Sequence, residues 1–199
     1  MPNSTSYLRP LFNYLEQFCP LSNVIKAEHE KSCKLIHVKK NKYILSPLDS
    51  NTSLYFLISG VVRGFVRDGK KDISTWFSLG NELISAIRHP DRQSGPSIEY
   101  LQALEDCKII CIPYNLMDFL YNNYPEANLI GRKLMERHHY AASERAILSR
   151  IPKATGRYRK LQESGLDIDR IPQRYLASYL GVRGETMSRI RSKILEPNY

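Results

Sequence analysis

The chain changes its hydrophobic rhythm twice. Up to Cys33 the apolar positions fall at helical spacing, with Leu11, Leu15 and Phe18 on one side of a helix over 7–18 and a second helix over 23–33. From Lys34 the pattern breaks into short runs of Ile, Val, Tyr, Phe and Leu over 34–36, 42–45, 53–67, 71–77 and 100–112. Asp, Asn, Gly, Ser and Pro part these runs, the pattern of a small all-β body with many turns. Asp68-Gly69 suits a tight hairpin, and Gly60 in LISGVVRG marks a bend or bulge between strands. After Pro113 the 3.6-residue period returns, giving a helix over about 114–121 and a long one over 126–148. Gly131 alone weakens that long helix, by about 1 kcal/mol relative to alanine. Ile151-Pro152 ends it and forms the natural hinge. The expected parts are a small all-β body with N-terminal helices (1–125), a long helix (126–150) and a C-terminal domain (151–199).

Ile130, Leu134, His138, Ala141 and Leu148 recur along the long helix at near-heptad spacing, a narrow seam suited to a helix-to-helix dimer contact. The same stripe packed on the β body is the alternative. His138 and His139 point about 100° apart on a helix, a poor chelating geometry.

The most informative stretch is RIPQRYLASYLGVRGETMSRIRSKIL. Pro172 opens a helix with Leu176, Ala177 and Leu180 inward, and Gly181 closes it through a left-handed turn. Val182 plugs the turn. A second helix begins near Gly184 or Glu185, with Met187, Ile190 and Ile194 inward and Thr186 on the border. Arg183, Glu185, Ser188, Arg189, Arg191, Ser192 and Lys193 face out. This is a helix-turn-helix whose outward face suits the DNA major groove, where arginine grips guanine O6 and N7 with two hydrogen bonds. Arg189 is the foremost base-reading candidate, and Glu185 suits cytosine N4 or the holding of an arginine rotamer. Arg174 and Lys193 are expected on phosphates, positioning without specifying.

Charge sharpens this picture. The 199 residues carry a formal net charge of +9, and 153–199 hold ten Lys or Arg against five Asp or Glu. That concentration is what a phosphate-facing domain requires. Composition is otherwise that of an ordinary globular protein, with 42% hydrophobic and 25% charged residues. No apolar run approaches a membrane span, and the first residues do not read as an export signal, so a cytoplasmic protein without membrane contact is expected. Cys107 and Cys111 fall on one strand about 13 Å apart at about 3.3 Å per residue, too far for a disulfide. Cys19 and Cys33 add no cluster spacing, so no metal is expected. Phosphate loops, a nucleophile elbow and a His-Glu-x-x-His pattern are absent, which argues against an enzyme.

The stretch IPQRYLASYLGVRGETMSRIR, together with LYFLISGVVRGFVRDGKKDISTWF and PSIEYLQALED, resembles the Crp/Fnr family of transcriptional regulators, especially its Bacteroidetes branch. The resemblance covers nearly the whole chain. It implies an α+β protein: a cyclic-nucleotide-binding-like jelly roll, a long dimerisation helix and a C-terminal winged helix-turn-helix. Any wing strands would come from around Leu166 to Ile171. It further implies a homodimer on double-stranded DNA, RNA polymerase as a partner, and Glu185 and Arg189 as the family's recognition-helix pair. The arginine that precedes this glutamate in the family pattern is Gly184 here.

The effector pocket implied by the resemblance is Gly80, Glu82, Leu83, Arg88, Arg92 and Ser97. The family's phosphate-gripping Arg-Ser pair corresponds to a place near Ser97 that lacks the arginine, so the usual cyclic-AMP grip is not expected. Another small-molecule effector, or none, stays open, and no cofactor is identified. The second functional reading is a sensor or scaffold module that acts through protein partners.

Overall fold

The computed structural model describes residues 6–87 and 97–195, with backbone alone for 194 and 195. A single 3-10 turn leads into α1 (Arg9–Leu15), and α2 (Asn23–Ser32) follows. The Ser22 hydroxyl caps α2 by accepting from the Ile25 amide at 3.4 Å. Eight strands follow among the described residues: β1 (Lys34–Val38), β2 (Tyr43–Leu45), β3 (Ser53–Ser59), β4 (Val62–Asp68), β5 (Lys71–Ser78), β6 (Glu82–Ile84), β7 (Tyr100–Ala103) and β8 (Cys107–Pro113). They form two four-stranded antiparallel sheets, in the orders β1-β8-β3-β6 and β2-β7-β4-β5.

The continuous apolar runs of β3 and β8 have a structural cause. Leu57 and Ile109 fill the core between the sheets, while Phe56 and Ile110 face the N-terminal helices. A sheet buried on both faces cannot alternate apolar with polar residues. The expected run over 53–67 divides at Gly60, whose φ of +106° makes the bend, and the run over 100–112 divides at Leu104–Asp106. The β4–β5 hairpin pairs Asp68 with Lys71, and Gly69 at its tip has φ +57°.

Helix α3 (Tyr114–Asn123) leads into α4 (Pro125–Arg150), 26 residues long. Gly131 lets the two approach, since a β-carbon there would lie 2.7 Å from the Tyr121 ring. The seam expected along α4 is covered within the protomer at three of its five positions. Ile130 and Leu134 are buried within the protomer against the N-terminal helices, and Leu148 is buried in the C-terminal core. Ala141 is half-buried and His138 exposed. The large apolar side chains that α4 leaves exposed are Leu129, Met135, Tyr140 and Ile147. A near-heptad stripe records an apolar face without saying what covers it.

The C-terminal part comprises α5 (Ala154–Glu163), a 3-10 turn (Ile168–Arg170), α6 (Gln173–Tyr179) and α7 (Gly184–Leu195). The 3-10 turn stands where wing strands were expected, and the described residues of 151–195 contain no strand. Ile168-Asp169-Arg170 folds back on itself, with the Ile171 amide donating to the Ile168 carbonyl, and so offers no extended backbone for a ladder. Among the described residues no helix is long and apolar enough to cross a membrane. No group of three or more His, Cys, Asp or Glu is placed to hold a metal ion among them.

Candidate nucleic-acid interface

The turn between α6 and α7 is built as its sequence dictates. Gly181 adopts φ +63°, the Val182 amide donates to the Ala177 carbonyl, and the Gly181 amide donates to the Ser178 carbonyl. This is the Schellman closure that an achiral residue permits. Leu176, Ala177, Leu180, Met187 and Ile190 are buried between the helices. With that side committed to the core, the opposite face of α7 must meet solvent or a partner.

Every proposed DNA contact is exposed: Arg174 on α6, Arg183 in the turn, and Glu185, Thr186, Ser188, Arg189, Ser192 and Lys193 on α7. The side chains of the last seven form no hydrogen bond or ion pair with a described residue. Arg174 lies over the Tyr175 ring at 4.6 Å and donates to its hydroxyl at 2.9 Å. Arg191 departs from the expected outward set. It is half-buried and pairs with Asp169 of the 3-10 turn at 2.5 Å.

The outward face of α6 rests on the β-roll. Arg63, on β4, is 2% exposed, and its guanidinium lies 4.0 Å from the Phe65 ring centre and 3.8 Å from that of Tyr175. It also donates to Gln102 at 2.8 Å and Asp72 at 3.2 Å. Burial lowers its pKa from the ordinary value, though arginine keeps its charge in proteins. The Ser178 hydroxyl donates to the Asp72 carbonyl at 2.7 Å and accepts from the Ser74 amide at 3.0 Å. Phe77 meets Tyr179 edge-on at 5.3 Å, and Arg170 pairs with Glu105 at 2.6 Å. A buried arginine between two rings was not legible as such, because its partners lie on distant segments.

Arg157, likewise unforeseen, ties the hinge to the helix-turn-helix. It donates to the Leu180 carbonyl at 2.9 Å, the Ile151 carbonyl at 2.7 Å and the Pro152 carbonyl at 3.1 Å. The carbonyls at the ends of α4 and α6 thereby find a donor.

Gly80 follows β5 with φ +110°, Glu82 is exposed, and Leu83 is buried in the core against the N-terminal helices. The buried Ser97 hydroxyl is spent on its neighbour, donating to the Glu99 carbonyl at 2.6 Å and accepting from the Glu99 amide at 3.1 Å. Arg88 and Arg92 lie outside the described residues. Sequence reading missed Glu99 itself, a fully buried carboxylate that accepts from the Thr75 hydroxyl at 2.5 Å and the Ile87 amide at 3.3 Å. Burial raises its pKa, against the hydrogen bonds from Thr75, Ile87 and Trp76.

Solved structures share this architecture. A transcriptional regulator of the crp/fnr family from Eubacterium rectale is similar with TM-score 0.70 and 16% identity, over 92% of this chain and 87% of that one. FixK2 from Bradyrhizobium japonicum is similar with TM-score 0.68 and 15% identity, over 81% and 84%. CLP, a c-di-GMP-responsive global regulator of Xanthomonas campestris, is similar with TM-score 0.66 and 17% identity, over 87% and 91%. At these identities the likeness establishes the fold: the β-roll, long helix and helix-turn-helix of Crp/Fnr regulators. No protein-family model and no curated protein sequence matches the chain.

Proposed function

We propose that this chain is a dimeric, sequence-specific DNA-binding regulator of transcription of the Crp/Fnr type. One observation carries the reading. Helix α7 buries Met187 and Ile190 and, with the turn before it, presents Arg183, Glu185, Ser188, Arg189 and Ser192 to solvent, within the most basic part of the chain. Short hydroxyls flanking an unencumbered guanidinium fit a groove floor, where Arg189 would read a guanine. Arg174 and Lys193 would hold phosphates. Leu129 and Ile147 share one exposed stripe of α4, opposite the face buried in the protomer, and offer the surface for a second copy. Two copies would present two recognition helices about one DNA turn apart to a palindromic site.

The roll would sense a ligand without the family's usual cyclic-phosphate grip. The Ser97 hydroxyl is committed to the Glu99 backbone, and a buried carboxylate beside it disfavours a phosphodiester.

Selection from random duplex DNA by the purified protein, at about 0.15 M salt, tests the reading. The expected result is a recovered palindrome. Arg189→Ala should lose roughly tenfold or more in discrimination at one base pair of each half-site. Arg174→Ala should weaken all sequences alike and lower the salt slope by about 1. Background binding with no enriched sequence, unchanged in Arg189→Ala, would overturn the reading.

A further inference from the structure

Between the roll and the C-terminal helices, a cavity of about 640 Å³ opens against the C-terminal half of α4. Small-molecule sites commonly enclose about 300–1,000 Å³ and favour junctions between domains. Trp76 on β5, Tyr140 on α4 and Tyr179 on α6 supply aromatic wall. The charged groups on the wall are unlike one another. Lys160 is engaged with Glu144 at 3.8 Å. Arg145, half-buried, makes no hydrogen bond or ion pair with any described residue, yet its field reaches Glu82, Glu99 and Tyr179. A guanidinium in a partly closed aromatic cavity is a ready fork for a planar anion.

We propose that this junction cavity binds a flat organic anion bearing a single negative charge, its ring against Trp76 and the tyrosines and its anionic group on Arg145. The remaining carboxylates set the charge limit. Glu82 and Glu163 stand on the same wall, so a polyphosphate would meet repulsion that one carboxylate or sulfonate paired with Arg145 largely avoids. The wall draws on β5, α4, α5 and α6, so a bound ligand would favour one placement of the helix-turn-helix against the roll. By linkage, DNA and ligand would then alter each other's affinity equally. That coupling rests on the DNA-binding reading; binding to the cavity does not.

Trp76 is the only tryptophan in the chain, which gives the site its own reporter. The full-length protein is titrated with 8-anilinonaphthalene-1-sulfonate, an aromatic monoanion, while tryptophan is excited. The expected result is saturable quenching of Trp76 with sensitised dye emission, and displacement by indole-3-acetate but not by ATP. Arg145→Gln should weaken dye binding at least tenfold, and Ala141→Phe, which projects into the cavity from α4, should abolish it. Both variants should keep the parent's circular dichroism and melting. Equal dye affinity in the parent and Arg145→Gln would overturn the proposal and place the dye on the exposed stripe of α4. Displacement by ATP in preference to indole-3-acetate would overturn the assigned ligand charge. Dye and indole-3-acetate binding as expected, with DNA affinity unmoved, would overturn the coupling and leave the site.

Discussion

Two buried ionisable residues show how burial changes what a side chain contributes. Arg63 keeps its charge because two rings, Asp72 and Gln102 replace water around it, although its Nε finds no partner among the described residues. His29 takes the other course. It is buried in α2, edge-on to Phe12, with Nδ1 placed to donate to the Ile25 carbonyl at 2.8 Å. Burial lowers its pKa, while the bond to Ile25 works in the opposite sense. With the folded value depressed, the stability His29 contributes is intact above its unfolded pKa of about 6.5. It is lost as pH falls, because the unfolded chain takes up a proton that the folded one resists. The melting temperature should therefore drop between about pH 7.5 and about pH 5.5, and His29→Gln should flatten that slope. An unchanged slope in the variant would show that other groups set the acid sensitivity.

At the scale of elements, junctions matter more than interiors. Arg157 supplies donors to three carbonyls where α4 ends, the hinge turns and α6 closes. Hydrogen bonds from charged groups are worth about 1.5–3 kcal/mol each and do not add fully. Arg157→Ala should thus lower stability by about 2–3 kcal/mol, which chemical denaturation would measure. A loss below about 0.5 kcal/mol would mean that water replaces the guanidinium without cost. The sequence made the helix-turn-helix legible because its signals are local: Pro172, then inward Leu176, Ala177 and Leu180, then Gly181. The strand runs were legible for the same reason, apart from β6, a three-residue strand in a stretch read as an effector-binding segment. The roles of Arg157, Arg63 and Glu99 carried no such signal, since their partners lie far along the chain. The stripe of Ile130, Leu134 and Leu148 was visible, but its covering was not, because an apolar face reads alike against a second copy or against the same chain.

Across the whole molecule, the core of the helix-turn-helix part extends onto the roll. Val61 and Leu104 from the roll are buried with Leu161, Ile171, Leu176 and Met187 in one cluster, and Ser178 bonds to the backbone of β5. The roll and the helix-turn-helix part should therefore unfold together, in a single calorimetric transition. Tyr175→Ala removes one ring from the Arg63 stack and should part the melt into two transitions. A single unshifted transition in that variant would assign the docking to the shared core alone. The Arg63 stack also has a consequence for inheritance. A guanidinium enclosed by Phe65 and Tyr175 leaves little room for either side to change alone: losing the ring leaves a buried cation half uncovered, and losing the cation leaves a gap between rings. Positions 63 and 175 should accordingly drift as a pair in the lineage of this protein, so that a segment from one descendant grafted onto another would fail at this seam unless both partners travel together.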